Sequence, residues 1–413
     1  MRLALRFSLI TLSLFAALAL SVARRPASAQ TQPTNPVLIS ELRLRGPAGV
    51  QDEFIEIYNN SDTPLVIQAS DTSPGWGVAV SNGQITGTVC TIPNGTVIPP
   101  RGHFLCANAN GYSLSGYPSG NPAPAATPAP TPTPAFATAT PDATWQFDIP
   151  DGSGVALFTT TSTIAQTLAT RRDAFGFSNS PALFREGAGW PSVPTSNREA
   201  SFFRDISNII PKDTNNNAAD FIYAGTAPDI SGNLLGAPGP ENLRSPVTGL
   251  NITTALLDPS QPPAAVPNRE RRPTVVPNGN LGTIIIRRTF TNNTGLPVSR
   301  LRFRVAQITT LGNENTCGGV VCADVRALSS ADGEAGVGGQ VVTVRGVRLE
   351  EPPAQPAGGG FNASLSADFI TLGTPLAPGQ SVNIQFVLGV MRTGNFRFFF
   401  NIEAQTAPAS VIP

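Results

Sequence analysis

Short apolar runs of strand length, each ended by Pro, Gly or Asn, recur from Val37 onward and leave no room for a long helix. Gly77–Ser81, Gly87–Ile92, His103–Ala107, Gly154–Thr159 and Ala219–Ala224 are typical. None keeps the ~3.6-residue apolar period of an amphipathic helix, and Thr163–Arg172 is read as a turn or two of helix at most. The breaks come from 40 Pro and 39 Gly. Many short strands with turn chemistry between them predict an all-β sandwich architecture. A chain of 413 residues is long enough for two such cores.

Val37–Ile67 is the most informative stretch. It reads as strands Val37–Arg45 and Asp52–Asn59 followed by a turn at Asn60-Ser61-Asp62. Phe54, Glu56 and Tyr58 alternate with Glu53, Ile55 and Ile57, the period-two pattern of a strand. The wording Ile39, Glu41, Leu42 and then Asp52 through Asn59 resembles the start of a lamin-tail domain. Three later pieces extend the resemblance: Asn197–Phe202, the run Asp213-Thr214-Asn215-Asn216-Asn217-Ala218-Ala219-Asp220-Phe221, and Gly236–Asn242. It covers residues 35–245. The resemblance implies an immunoglobulin-like β-sandwich that serves exported bacterial proteins as a non-catalytic structural or interaction module. Residues 121–141, almost all Pro, Ala and Thr, interrupt this region as an exposed insert of polyproline character.

Residues 1–29 carry the marks of a secretory signal. Arg2 and Arg6 precede the apolar run Phe7–Val22, and Ala27-Ser28-Ala29 offers a small-residue cleavage site. Cleavage between Ala29 and Gln30 predicts a secreted or cell-surface protein with no transmembrane anchor, opening on a short tail at residues 30–36. Four cysteines then fall as two local pairs, Cys90 with Cys106 and Cys317 with Cys322. An even count in an exported chain favours disulfides. A four-cysteine zinc site is the alternative, and the wide 90–106 spacing argues against it.

Residues 246–280 read as a Pro-rich junction with one strand, Leu250–Leu257, ahead of a second sandwich over 281–413. Gly282–Thr291 and Val298–Thr309 look like an antiparallel hairpin around Asn292-Asn293-Thr294-Gly295. Leu301, Phe303 and Val305 would face its core, and Arg300, Arg302 and Arg304 its wet side. Gln340–Arg345, Ala367–Thr371, Ser381–Val390 and Asn395–Ala404 complete the strands. This half resembles the immunoglobulin-like or fibronectin-like modules of bacterial extracellular proteins, so the expected whole is two such sandwiches in tandem.

Residues able to carry chemistry are few. His103 is the single histidine, so every histidine-dependent mechanism rests on it, and it is read as structural. No Gly-x-Ser-x-Gly, Walker or His-Glu-x-x-His motif occurs. Glu41, Asp52, Glu53 and Glu56 offer paired carboxylates for a hydrolase, or cross-strand ion pairs with Arg43 and Arg45 on a wet sheet face. Asp213, Asn215, Asn217 and Asp220 place oxygens at the alternating positions a Ca2+ loop uses. An Asx-rich turn explains the same residues. Trp76, Trp145 and Trp190, if exposed, would suit a calcium-dependent adhesin or carbohydrate binder. Arg300, Arg302 and Arg304, with Arg287 and Arg288, would make a basic ridge for an acidic polysaccharide or lipid headgroup. Zero net charge and the lack of an aromatic stacking platform speak against nucleic acid. The reading is a secreted non-catalytic module, with no cofactor unless Ca2+, whose partner is an unidentified protein or cell-surface polymer.

Overall fold

The N-terminal half closes over its first strand, Val37–Arg43, which lies at the centre of a seven-stranded sheet. The computed structural model describes residues 35–117, 139–207, 210–227, 234–311, 321–350 and 355–406. The leader with its Ala29/Gln30 site, most of the 121–141 insert, and Cys317 with its pairing to Cys322 lie outside the described residues. The protein is all-β, with sheets packed as sandwiches and, among the described residues, only short helical turns at Thr163–Ala165, Ala182–Phe184 and Asn217–Asp220.

Val37–Arg43 pairs with Phe54–Asn59 on one side and Ala200–Arg204 on the other, both antiparallel. His103–Asn108 continues the sheet beyond Phe54–Asn59. Facing it is a four-stranded sheet of Arg171–Phe175, Gly154–Phe158, Gly75–Ser81 and Thr86–Pro93. Ile39, Leu42, Ile55, Ile57, Phe104 and Phe202 from the first sheet meet Val78, Val80, Val155, Leu157 and Phe175 from the second. Cys90 and Cys106 form a disulfide between these sheets, with Cα atoms 6.3 Å apart. Both sulfurs therefore belong to a bridge rather than to a zinc set. Replacing both cysteines by serine should lower the unfolding free energy by about 3 kcal/mol, the chain-entropy value for a loop of this size. Denaturant melts of the oxidised protein and the variant would measure it, and coincident midpoints would show that the bridge contributes nothing.

The C-terminal half repeats the layered plan. Ile252–Leu256, Thr283–Asn292, Ser381–Arg392 and Asp324–Leu328 form one sheet, and Arg269–Arg272 also pairs with Thr283–Asn292. Arg348–Leu349, Ser364–Ser366, Val298–Ile308 and Phe398–Thr406 form the other. Phe303 sits between them, its ring 4.8 Å from Phe290, 4.9 Å from Phe386 and 5.1 Å from Phe400. Edge-to-face and tilted contacts at these distances add to the burial energy of the core. Residues 246–280 contribute two strands to this sandwich, so they are built into the sheet on Thr283–Asn292. Residues 367–371 form no strand; Ser364–Ser366, just before them, does.

The expected hairpin of Gly282–Thr291 and Val298–Thr309 does not form. Its two strands exist, but they belong to opposite sheets. The corner between them is tied down by Asn292, which is fully buried. Its Nδ2 donates to Leu296 O at 2.8 Å and Leu376 O at 2.7 Å, and its Oδ1 accepts from Thr294 Oγ1. Asn59 ends Phe54–Asn59 in the same way, donating to Thr63 O and Pro99 O and accepting from Ser61 Oγ. In both corners one buried amide satisfies several main-chain groups where the ladder stops.

Candidate functional site

A β-bulge at Ser40 sets up a densely charged region of the molecule. The register of Val37–Arg43 on Phe54–Asn59 shifts between Ile39 and Glu41, so one extra residue is inserted there. Ile39 and Leu42 both stay in the core, while Glu41 falls opposite Glu56. The face of the sheet that bears Glu41, Glu56 and His103 is not wet, contrary to the expectation of surface ion pairs. The Gly236–Asn242 segment and the C-terminal strands Val298–Ile308 and Phe398–Thr406 cover it, and all three of its side chains are buried.

The contacts across this seam are numerous and polar. Glu41 accepts hydrogen bonds from Ser201 Oγ at 2.6 Å, Gly239 N at 3.0 Å and Asn362 Nδ2 at 3.1 Å. Glu56 accepts from Glu241 N at 2.6 Å and from Ser40 Oγ. Arg302 pairs with Glu241 and, through Nε at 2.7 Å, with Glu403. Arg304 reaches Glu241 at 2.9 Å and Glu403 at 2.7 Å, and its Nη1 donates to Asn362 Oδ1 at 2.8 Å. The expected basic ridge is therefore overturned for Arg302 and Arg304, which are buried among carboxylates. Arg287 is buried too, against Glu270 at 2.7 Å. Leu301, Phe303 and Val305 do face the core as their alternation implies.

Charge in this seam is unequally held. Burial would raise the Glu241 carboxyl, but Arg302 and Arg304 overcome it and hold its pKa at about 2. Glu56 is raised well above the usual range by burial and by the like charges of Glu41 and Glu241. Burial also raises Glu41 and Glu403. His103 is lowered to about 4, mainly by burial and further by Arg304 and Arg302, so its imidazole is neutral at pH 7. Its Nε2 lies 3.4 Å from Glu241 and 3.8 Å from Glu56, and its ring stacks on Tyr58 with centroids 4.9 Å apart. Glu56, His103 and Glu241 thus bring ligand atoms within 4.8 Å of one another. Positive charge is already supplied there by the two guanidinium groups. The cavity among these side chains measures about 50 Å³, room for a few waters and far below the ~300 Å³ at which small-molecule sites begin.

The remaining carboxylates of the expected hydrolase pair are spent elsewhere. Asp52 pairs with Arg43 and accepts from Ser113 N and Ala48 N, both at 3.0 Å. Glu53 accepts from Asn108 Nδ2 and Ile149 N, both at 2.8 Å, and from Trp145 Nε1 at 3.3 Å. Burial pushes Glu53 up to about 8. Arg45 pairs with Asp151 at 2.7 Å. These groups sit in separate pockets of structure and do not flank one cleft.

The proposed Ca2+ loop is likewise divided. Asn217 is fully buried, its Oδ1 accepting from Gly176 N and Glu186 N and its Nδ2 donating to Ala174 O. Asp220 accepts from Thr214 N, Thr214 Oγ1 and Asn216 N. Asp213 faces Arg204 at 3.6 Å, and Asn215 is exposed in the left-handed region at φ 57°. Asp213 and Asp220 both face the guanidinium of Arg204 and Asn217 is committed to main-chain groups, so the four do not form a free ligand set, and thermal melts in Ca2+ and in EDTA are expected to superimpose. A rise in Tm with Ca2+ that Asp213→Ala abolishes would reverse that conclusion. The Trp surface is also overturned: Trp76 and Trp145 are buried, Trp76 Nε1 donating to Gln68 O at 2.7 Å, and Trp190 packs edge-on against Phe202.

Sequence reasoning missed the residue this loop is built around. Arg204 is completely buried at the end of Ala200–Arg204. It bonds both oxygens of Asp173 at 2.7 Å, Ile39 O and Lys212 O at 2.9 Å, and stacks over Phe221 at 4.7 Å. Glu186, Asp213 and Asp220 stand 3.6–3.8 Å from it. The Asn-rich run gives one wall to this guanidinium. Glu241 and Glu403 were missed as well; Glu241 lies inside Gly236–Asn242, one of the pieces that carry the resemblance, and nothing local marks its charge as functional. In comparisons with known proteins the chain matches no family model and no curated protein.

Proposed function

We propose that this chain is an exported, non-catalytic lamin-tail-type protein in which two sandwiches act as a single structural and interaction body. The observation that carries this reading is the seam: Glu41, Glu56, Glu241 and Glu403 are consumed by Arg302, Arg304, Asn362 and main-chain donors. A hydrolase needs two carboxylates flanking a substrate-sized cleft. Here the carboxylates surround a space too small for a sugar ring. A desolvated guanidinium–carboxylate network with matched hydrogen bonds fixes the geometry of what it joins. The apolar core continues through the same contact, since Phe203, Ala224 and Ala237 pack with the C-terminal cluster around Phe303.

Expression of the full chain in a secreting bacterial host tests this. Protein recovered from the medium should begin at Gln30 and unfold in one cooperative transition. It should leave chromogenic glycoside and phosphodiester substrates intact and be retained by a cell-envelope fraction. Hydrolysis that disappears in Glu56→Gln would replace the reading with an enzymatic one. Two well-separated unfolding transitions would remove the single-body part of it.

A further inference from the structure

Guanidinium groups in the C-terminal sheets usually meet a carboxylate. Arg302 and Arg304 face Glu241 and Glu403, Arg287 faces Glu270, Arg326 faces Asp324 and Arg348 faces Asp368. One cleft departs from that rule. It is a solvent-open depression of about 470 Å³ lined by Arg269, Gly394, Asn395, Phe396 and Arg397. Among the described residues neither Arg269 nor Arg397 makes an ion pair. Arg269 is half-buried, with its guanidinium carbon 5.9 Å from the centroid of the Phe396 ring, which holds it against the cleft wall. Arg397 is exposed on the same cleft.

The positive charge here is crowded as well as unanswered. Among the described residues Arg288 donates to the carbonyl oxygens of Asn268 and Arg287, and burial together with the charge of Arg269 lowers its pKa. Like charges gathered without a counter-ion favour an anion that settles among them.

We propose that this cleft binds an acidic sugar residue of a polysaccharide, with Arg269 and Arg397 holding its carboxylate or sulfate and Phe396 packing on its ring. The volume lies in the ~300–1,000 Å³ range of small-ligand sites. Guanidinium forks match planar carboxylates and tetrahedral sulfates in bidentate fashion. Thr393, Gly394 and Asn395 are exposed at the rim, so a polymer can run on past the bound residue. A concave site of this kind suits a sugar better than a lipid surface, which a flat face would serve. The proposal rests on reading the chain as an exported interaction module, and it names the class of partner.

The test is calorimetric titration of the exported protein with polygalacturonate and heparin, beside neutral dextran and anionic phospholipid vesicles. Arg397→Gln is expected to weaken binding of the acidic glycan roughly tenfold, about 1.4 kcal/mol. Arg244→Gln, an exposed arginine of the N-terminal half, removes the same charge and should change nothing. Salt should weaken the wild-type interaction more than that of Arg397→Gln. Equal binding by the two variants overturns the site, as does binding to vesicles alone or to neither glycan. If the glycans fail while the cell-envelope fraction still retains the protein, this cleft is refuted and the interaction-module reading survives.

Discussion

Arg204→Met is expected to cost about 3–5 kcal/mol of unfolding free energy, the penalty for removing one partner of a buried ion pair. Asp173 is fully buried, and after the change Ile39 N, at 2.5 Å, would be its one remaining hydrogen-bond donor among the described residues. Asp213 and Asp220 would lose the positive charge they face, and Glu186 would keep Arg171, 3.6 Å away, so four acids would be left without the arginine they surround. For a domain whose total stability is about 5–15 kcal/mol, that loss is severe. Urea titration at neutral pH measures it. Pairing the change with Asp173→Leu should recover part of the stability, because an apolar pair leaves no buried charge behind. A loss below about 1 kcal/mol in the single variant would mean that Arg204 is not the counter-ion its neighbours depend on.

Glu241→Gln should be nearly as costly, and its effect should depend on pH. The folded pKa of Glu241, about 2, lies below the unperturbed value of 4.5. As acid is added the unfolded chain takes up this proton first. The stability Glu241 contributes is therefore complete above about pH 4.5 and is lost as the pH falls through about 2. Glu56 has the opposite sign: its folded pKa is raised, so its protonated form is favoured and its contribution declines as the pH rises above 4.5. At neutral pH, Glu241→Gln leaves Arg304 with Glu403, and Arg302 with Glu403 and Glu350, the latter 3.7 Å away, at an expected cost of about 3–5 kcal/mol. Denaturant curves at about pH 7 and pH 3 separate the two effects, because the variant should lose less stability than the wild type over that interval. Identical losses would show that Glu241 is not the group responsible for the acid sensitivity.

Local pattern made the strands legible. The alternation in Phe54–Asn59 and Val298–Ile308 is that of strands, and strands form there with ends moved by a few residues. Alternation identifies two faces of a strand but not what covers the second one. Arg302 and Arg304 alternate with Leu301, Phe303 and Val305, which is also the pattern of a solvated sheet. Their burial depends on Glu241 and Glu403, dozens of residues away in sequence, and no local window contains that pairing. The misplaced hairpin has a similar cause. Asn292-Asn293-Thr294-Gly295 has turn chemistry, but whether a turn returns to the same sheet or crosses to the facing one is decided by contacts such as Asn292 with Leu376 O. The loop Asp213–Asp220 was read for its oxygens, and these serve an arginine that only the fold brings beside them.

The two Asn corners bear on how this protein can be produced. Asn59-Asn60-Ser61 and Asn292-Asn293-Thr294 each spell the acceptor triplet for N-linked glycosylation. In both, the first asparagine is the fully buried residue whose amide nitrogen holds the corner shut. A sugar attached to that nitrogen during synthesis would occupy the space the corner needs, and the strand on either side would lose its anchor. Hosts whose secretory route glycosylates these triplets are therefore unsuited to this chain, while bacterial export leaves both amides free to fold inward.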